Sequence, residues 1–138
     1  MNGTVLVPTT TTPLTGPFEV VAGNTDNSFS AVTGAFTAPA TGVYEATFTG
    51  SFYNPTTAAV ATAQTNFFYV NGVAKVDTIA SGSYAAGSNT NFTLTYIFSL
   101  TQGDIIQVYS TSTLVGLAFT SNVQPASAQT TFSVKSLF

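Results

Sequence analysis

Residues 18–48 read FEVVAGNTDNSFSAVTGAFTAPATGVYEATF, and the placement of their rings decides the fold. Phe18, Phe29, Phe36, Tyr44 and Phe48, with Asn24 and Gly42 between them, stand at gaps that fit neither a two-residue nor a 3.6-residue period. Rings at such intervals require short strands broken by turns. The rest of the chain continues in the same manner. Thr, Val, Phe, Tyr and Ile dominate, and turn residues recur at Gly23-Asn24, Pro39 to Gly42, Asn54-Pro55, Asn71-Gly72, Gly87-Ser88-Asn89 and Gln102-Gly103-Asp104. No segment has a helical period and none repeats. The expectation is an all-β sandwich or barrel.

Two segments alternate cleanly. From Val43 to Tyr53 one face carries Tyr44, Ala46, Phe48, Gly50 and Phe52; from Asn91 to Leu100 one face carries Phe92, Leu94, Tyr96, Phe98 and Leu100. Period-2 alternation predicts a strand with these residues buried and the intervening ones facing something more polar. Asn71-Gly72, after Phe67-Phe68-Tyr69-Val70, predicts a hairpin turn, because both residues tolerate positive φ.

Composition narrows the function classes. A chain of 138 residues is one domain, able to build a core without staples. It has no Cys and no His, which excludes disulfides, thiolate metal sites and the commonest general base. Two lysines and five acids make 5% charged residues, against about 25% in ordinary domains. That is too little positive charge for nucleic acid or anionic lipid, and no run reaches the roughly 18 apolar residues of a membrane helix. MNGTVLVPTTTT lacks a basic start and a long apolar stretch, so it is not read as a secretory signal.

The pattern F-x5-N-x4-F-x6-F-x5-G-x-Y-x-A-x-F, from Phe18 to Phe48, resembles the signature of the C1q globular-head family, related to the tumour necrosis factor jelly rolls. Ala46 stands where that family usually has an aromatic. Leu100 to Asp104, with Gly103-Asp104, looks like the family's L-x-x-G-D turn, and Phe132 to Phe138 resembles its closing strand, with Val134 and Lys135 as departures. The resemblance implies a single-domain jelly-roll β-sandwich packed as a homotrimer, with 17–138 as the domain and 1–16 as an arm or tether. Thr4–Val7 as a first edge strand is the alternative for the arm. The implied trimer interface is the outer surface of the sheet holding 43–53, 91–100 and 130–138, carrying Val43, Thr47, Thr95, Ile97 and Leu137; a plain solvent face is the alternative.

Other sites weigh less. No two acids lie within six residues of each other, against a glycosidase pair, and without His no Ser–His–Asp arrangement exists. Glu45 is placed to pair with Lys135 across the sheet. Asp77 and Asp104 are candidate calcium ligands if threefold symmetry gathers their copies; turn capping is the plainer role for Asp104. No cofactor is expected. Tyr53, Tyr69, Tyr84 and Tyr109 offer amphipathic rings for a sugar, and loop 80–90 around Tyr84 reads as a contact loop or a spacer.

The expectation is therefore a non-enzymatic homotrimeric head at a virion surface, decorating a capsid or ending a head fibre. Its arm would hold a capsid or fibre, and its loops would meet a host-surface glycan or protein, without nucleic acid or membrane insertion. The alternatives are the tip of a bacterial surface or spore filament, which would show a collagen-like stalk, and a carbohydrate-binding head.

Overall fold

The computed structural model describes residues 5–6, 12–13, 26–53, 60–85, 87, 89–112, 118–119 and 130–138. These form strands and turns, with no helix among the described residues. In chain order the strands are β1 (Val5–Leu6), β2 (Thr12–Pro13), β3 (Phe29–Ser30), β4 (Ala35–Thr37), β5 (Gly42–Tyr53) and β6 (Val60–Val70). They continue as β7 (Val73–Tyr84), β8 (Asn89–Leu100), β9 (Ile105–Ser112), β10 (Ala118–Phe119) and β11 (Thr131–Ser136).

Two antiparallel sheets result. In the first, β5 lies between β8 on one side and β11 on the other; β10 extends the β11 side and pairs outward with β1. In the second, the order is β3-β4-β9-β6-β7, with β2 beside β9. Two pieces of the 1–16 segment thus pair into the sandwich, one in each sheet. The Asn71-Gly72 turn joins β6 to β7 within the second sheet, and the turn at Gly103 carries β8 of the first sheet into β9 of the second. Asn71 and Gly72 have φ of 52° and 76°, and Gly103 has φ of 91°.

The core lies between the sheets, and the ladder of rings supplies much of it. Phe36, Tyr44 and Phe48 are buried, and Phe68, Phe98, Ile106 and Val108 meet them from other strands. Phe29 and Phe132 are half-buried and touch edge-on at 5.9 Å, joining the early segment to the chain's tail inside one shell. Phe132 also reaches Phe68 at 6.1 Å, and Phe68 meets Phe98 at 5.8 Å. Ala46 is fully buried, paired with Tyr96 on one side and Val134 on the other. Tyr44 keeps its hydroxyl satisfied by donating to the Ala40 carbonyl at 2.7 Å, so its ring can be buried. Phe18 and Asn24 lie outside the described residues.

One ring departs from the alternation. Tyr96 falls on the inward parity of β8 between Leu94 and Phe98, yet it is 46% exposed. Among the described strands β8 pairs with β5 alone, so a side chain there has a paired strand on one side only. The ring leans on Phe98 at 5.0 Å and lines an open cleft. Phe138, at the end of the closing segment, is 92% exposed and lies beyond β11.

Candidate functional site

The outward face of the first sheet is built by the odd-numbered positions of β5 and their partners. The registers set Thr131, Thr49 and Thr93 in one row, Ser133, Thr47 and Thr95 in the next, and Lys135, Glu45 and Ile97 in a third. Val43 and Ser99 continue the pattern, and Leu137 joins it by donating its N–H to the Val43 carbonyl at 2.8 Å. Hydroxyls in two rows pair directly: Thr47 with Thr95 at 3.1 Å and Thr49 with Thr93 at 3.2 Å. The charges in these rows neutralise each other, Lys135 Nζ lying 2.8 Å from Glu45 Oε1. The five residues singled out in the sequence, Val43, Thr47, Thr95, Ile97 and Leu137, therefore belong to one patch of small hydroxyls and aliphatic groups. Ile97 is 53% exposed at its border.

That border is the edge of β8 that no described strand pairs with. All twelve of its residues pair with β5 without a register shift, and it contains neither a charge nor a proline. Natural edges are usually blunted by such devices, because unpaired N–H and C=O groups invite another strand. The corresponding edge of the second sheet, β7, is blunted. Its register with β6 shifts between Phe68 and Tyr69, leaving Lys75 outside the ladder. Between the two edges opens a cleft of about 550 Å³, lined among others by Val73, Lys75, Tyr96 and Ile97. Val73 is 58% exposed, so three exposed apolar side chains gather at this place. Sequence reasoning missed Val73 and Tyr96. The signal available was the uncharged, proline-free stretch 89–100, but which strand ends a sheet is a property of the topology.

The end of the cleft is closed by a clasp between two turns. Asp104 Oδ1 accepts from Asn71 Nδ2 at 2.8 Å, and its Oδ2 accepts from the Thr101 N–H at 2.8 Å. Asn71 Oδ1 in turn accepts from the Ile105 N–H at 2.9 Å. The Asn71 amide first, then the Thr101 N–H and more weakly Lys75, hold the Asp104 carboxyl below its ordinary value of 3.8. Gly103 also donates to the Ala38 carbonyl at 2.9 Å, tying this turn to the end of β4. Asp104 is thus a turn-capping carboxylate. Asp77 pairs with Phe67 in β7, and no three acids group as metal ligands among the described residues.

On the outward side of the second sheet, Tyr69 and Tyr109 stack at 3.7 Å with 12° between planes, and Phe67 meets Tyr69 edge-on at 6.0 Å. The structure brings together these two of the four candidate sugar-contact tyrosines. Tyr53 and Tyr84 end β5 and β7, away from the pair, and their side chains lie outside the described residues.

Two antiparallel sheets in this order, closed by rings from both halves of the chain, define a jelly-roll sandwich of the C1q/TNF-like class. The family model described as the C1q domain matches residues 4–133, and the chain belongs to that family. C1q domains typically self-associate as trimers. No curated protein matches the chain.

Proposed function

We propose that the chain is a non-enzymatic head working as a homotrimer at a surface, with a virion or phage particle as its setting. The observation that supports assembly most is the β8 edge: long, uncharged, unbulged and flanked by exposed Tyr96, Ile97 and Val73. Covering it with the outward face of a second copy would hide these groups, and the charges at such a contact are few: the Glu45–Lys135 pair on the face, and Lys75 and Asp104 at the cleft. Charge depletion of this kind is what interface centres have. Face and edge are different patches, so the contact is head-to-tail, and a rotation that closes makes a ring. The trimeric habit of the family supports a ring of three.

The setting rests on composition. A surface of Thr, Ser, Asn and Gln with a net charge of −3 limits nonspecific electrostatic adhesion. Three weak loop contacts on a rigid head would then act as one multivalent binder. Light scattering tests the assembly. A single species of about three times 14.2 kDa at micromolar concentration is expected, and a monomer there overturns the reading.

A carbohydrate-binding head is the second reading, favoured by the Tyr69–Tyr109 stack. Glycan-array binding that Tyr69→Ala abolishes, with the trimer intact, would establish it; an array with no signal removes it.

A further inference from the structure

The Asn71-Gly72 turn has a chemical liability that its surroundings restrain. Glycine after asparagine leaves its own amide nitrogen unhindered, so that nitrogen can attack the asparagine carboxamide carbon. In that step a bond forms between Gly72 N and Asn71 Cγ, the Cγ–Nδ2 bond breaks, and ammonia leaves. Water then opens the cyclic imide at either carbonyl, giving aspartate or isoaspartate; nothing is oxidised or reduced. Both residues are exposed, so water reaches them.

The attack needs the Asn71 side chain swung back over Gly72, and the structure holds it elsewhere. Its Oδ1 accepts from the Ile105 N–H at 2.9 Å, its Nδ2 donates to Asp104 Oδ1 at 2.8 Å, and its backbone N–H donates to the Ile105 carbonyl at 2.9 Å. The carboxamide is pinned to the 101–105 turn at both heteroatoms. We propose that Asn71 is a spontaneous deamidation site kept silent by Asp104, and that its conversion unfastens this end of the sandwich irreversibly. The product replaces the Nδ2 donor with a second carboxylate facing Asp104, so an attraction becomes a repulsion. The isoaspartate form also inserts a methylene into a turn whose two central residues both have positive φ.

The chain carries its own reference, because Asn2-Gly3 is the same dipeptide. The full chain is incubated at neutral pH and 37 °C, native or unfolded in urea, and peptides are followed by mass spectrometry for the gain of about 1 Da at each asparagine. The expected result is at least tenfold slower conversion at Asn71 in the native chain than in urea. Asp104→Ala should raise the native Asn71 rate at least threefold and leave Asn2 unchanged. Equal native and unfolded rates at Asn71 would overturn the proposal, as would an unchanged rate in Asp104→Ala. Should Asp104→Ala not fold, hydrogen exchange at the Ile105 amide of the wild-type chain decides: it must speed up in converted protein, and an unaltered rate refutes the clasp.

Discussion

Glu45 and Lys135 face each other across the boundary between β5 and β11, their charged atoms 2.8 Å apart on the outward side of the first sheet. Their side chains are 27% and 66% exposed. In a single copy such a pair contributes little, about 0–1 kcal/mol, because water screens it. Buried against a second copy, either charge alone would be left unpaired.

Glu45→Gln should therefore lower the melting temperature of the separated copy only slightly while weakening the proposed trimer more than about tenfold, as an uncompensated charge does. The double change Glu45→Gln with Lys135→Gln should restore much of the association. Concentration-dependent light scattering reads both, and equal behaviour of single and double variants would place this pair outside the contact.

Ile97→Lys puts a charge at the border between the hydroxyl face and the cleft, where Ile97 is 53% exposed. The expected outcome is dissociation to a copy of 14.2 kDa with unchanged far-ultraviolet circular dichroism. A trimer that survives would move the contact away from β8.

Phe36→Ala removes a buried ring that lies 5.6 Å from Tyr44. Denaturant unfolding should show a loss of about 3–5 kcal/mol. A loss under about 1 kcal/mol would put that ring outside the core.

Ser110 is fully buried and its hydroxyl donates to Asn66 Oδ1 at 2.8 Å. Ser110→Ala withdraws that donor from an acceptor shut away from water, so a cost of about 1–3 kcal/mol is expected in the same measurement.

Acid should loosen the end where the two turns meet. The folded Asp104 carboxyl lies below its ordinary value of 3.8, chiefly through Asn71 and then Thr101. A depressed folded value stabilises above the ordinary value and loses that effect as pH falls through the folded one. Melting temperature should thus decline below about pH 4. Asp104→Asn should flatten that decline, and Asp26, held low mainly by Ser28, accounts for part of what remains. A decline of equal steepness in the variant would remove Asp104 from the explanation.

What the amino-acid order discloses here follows from the range of the forces involved. Alternation is local, so Tyr44, Ala46, Phe48, Leu94, Phe98 and Leu100 were legible as buried, and Asn71-Gly72 as a turn. The pairing of Glu45 with Lys135 was legible once the family order of strands was assumed. The exposure of Tyr96 was not, because parity says which way a side chain points and is silent on whether a strand has two neighbours. The convergence of Val73 and Lys75 on Ile97 was hidden for the same reason: it depends on where two sheets come apart. The stacking of Tyr69 on Tyr109 required the register of β6 with β9.

β5 lies between β8 and β11, and its even-numbered side chains from Tyr44 to Gly50 are buried while Val43, Glu45, Thr47 and Thr49 point away. One strand thus interleaves two texts. The even one is legible to anyone who knows how rings fill an interior, and every packed neighbour constrains it. The odd one answers only to what lies outside, so its hydroxyls can be exchanged without repacking the interior.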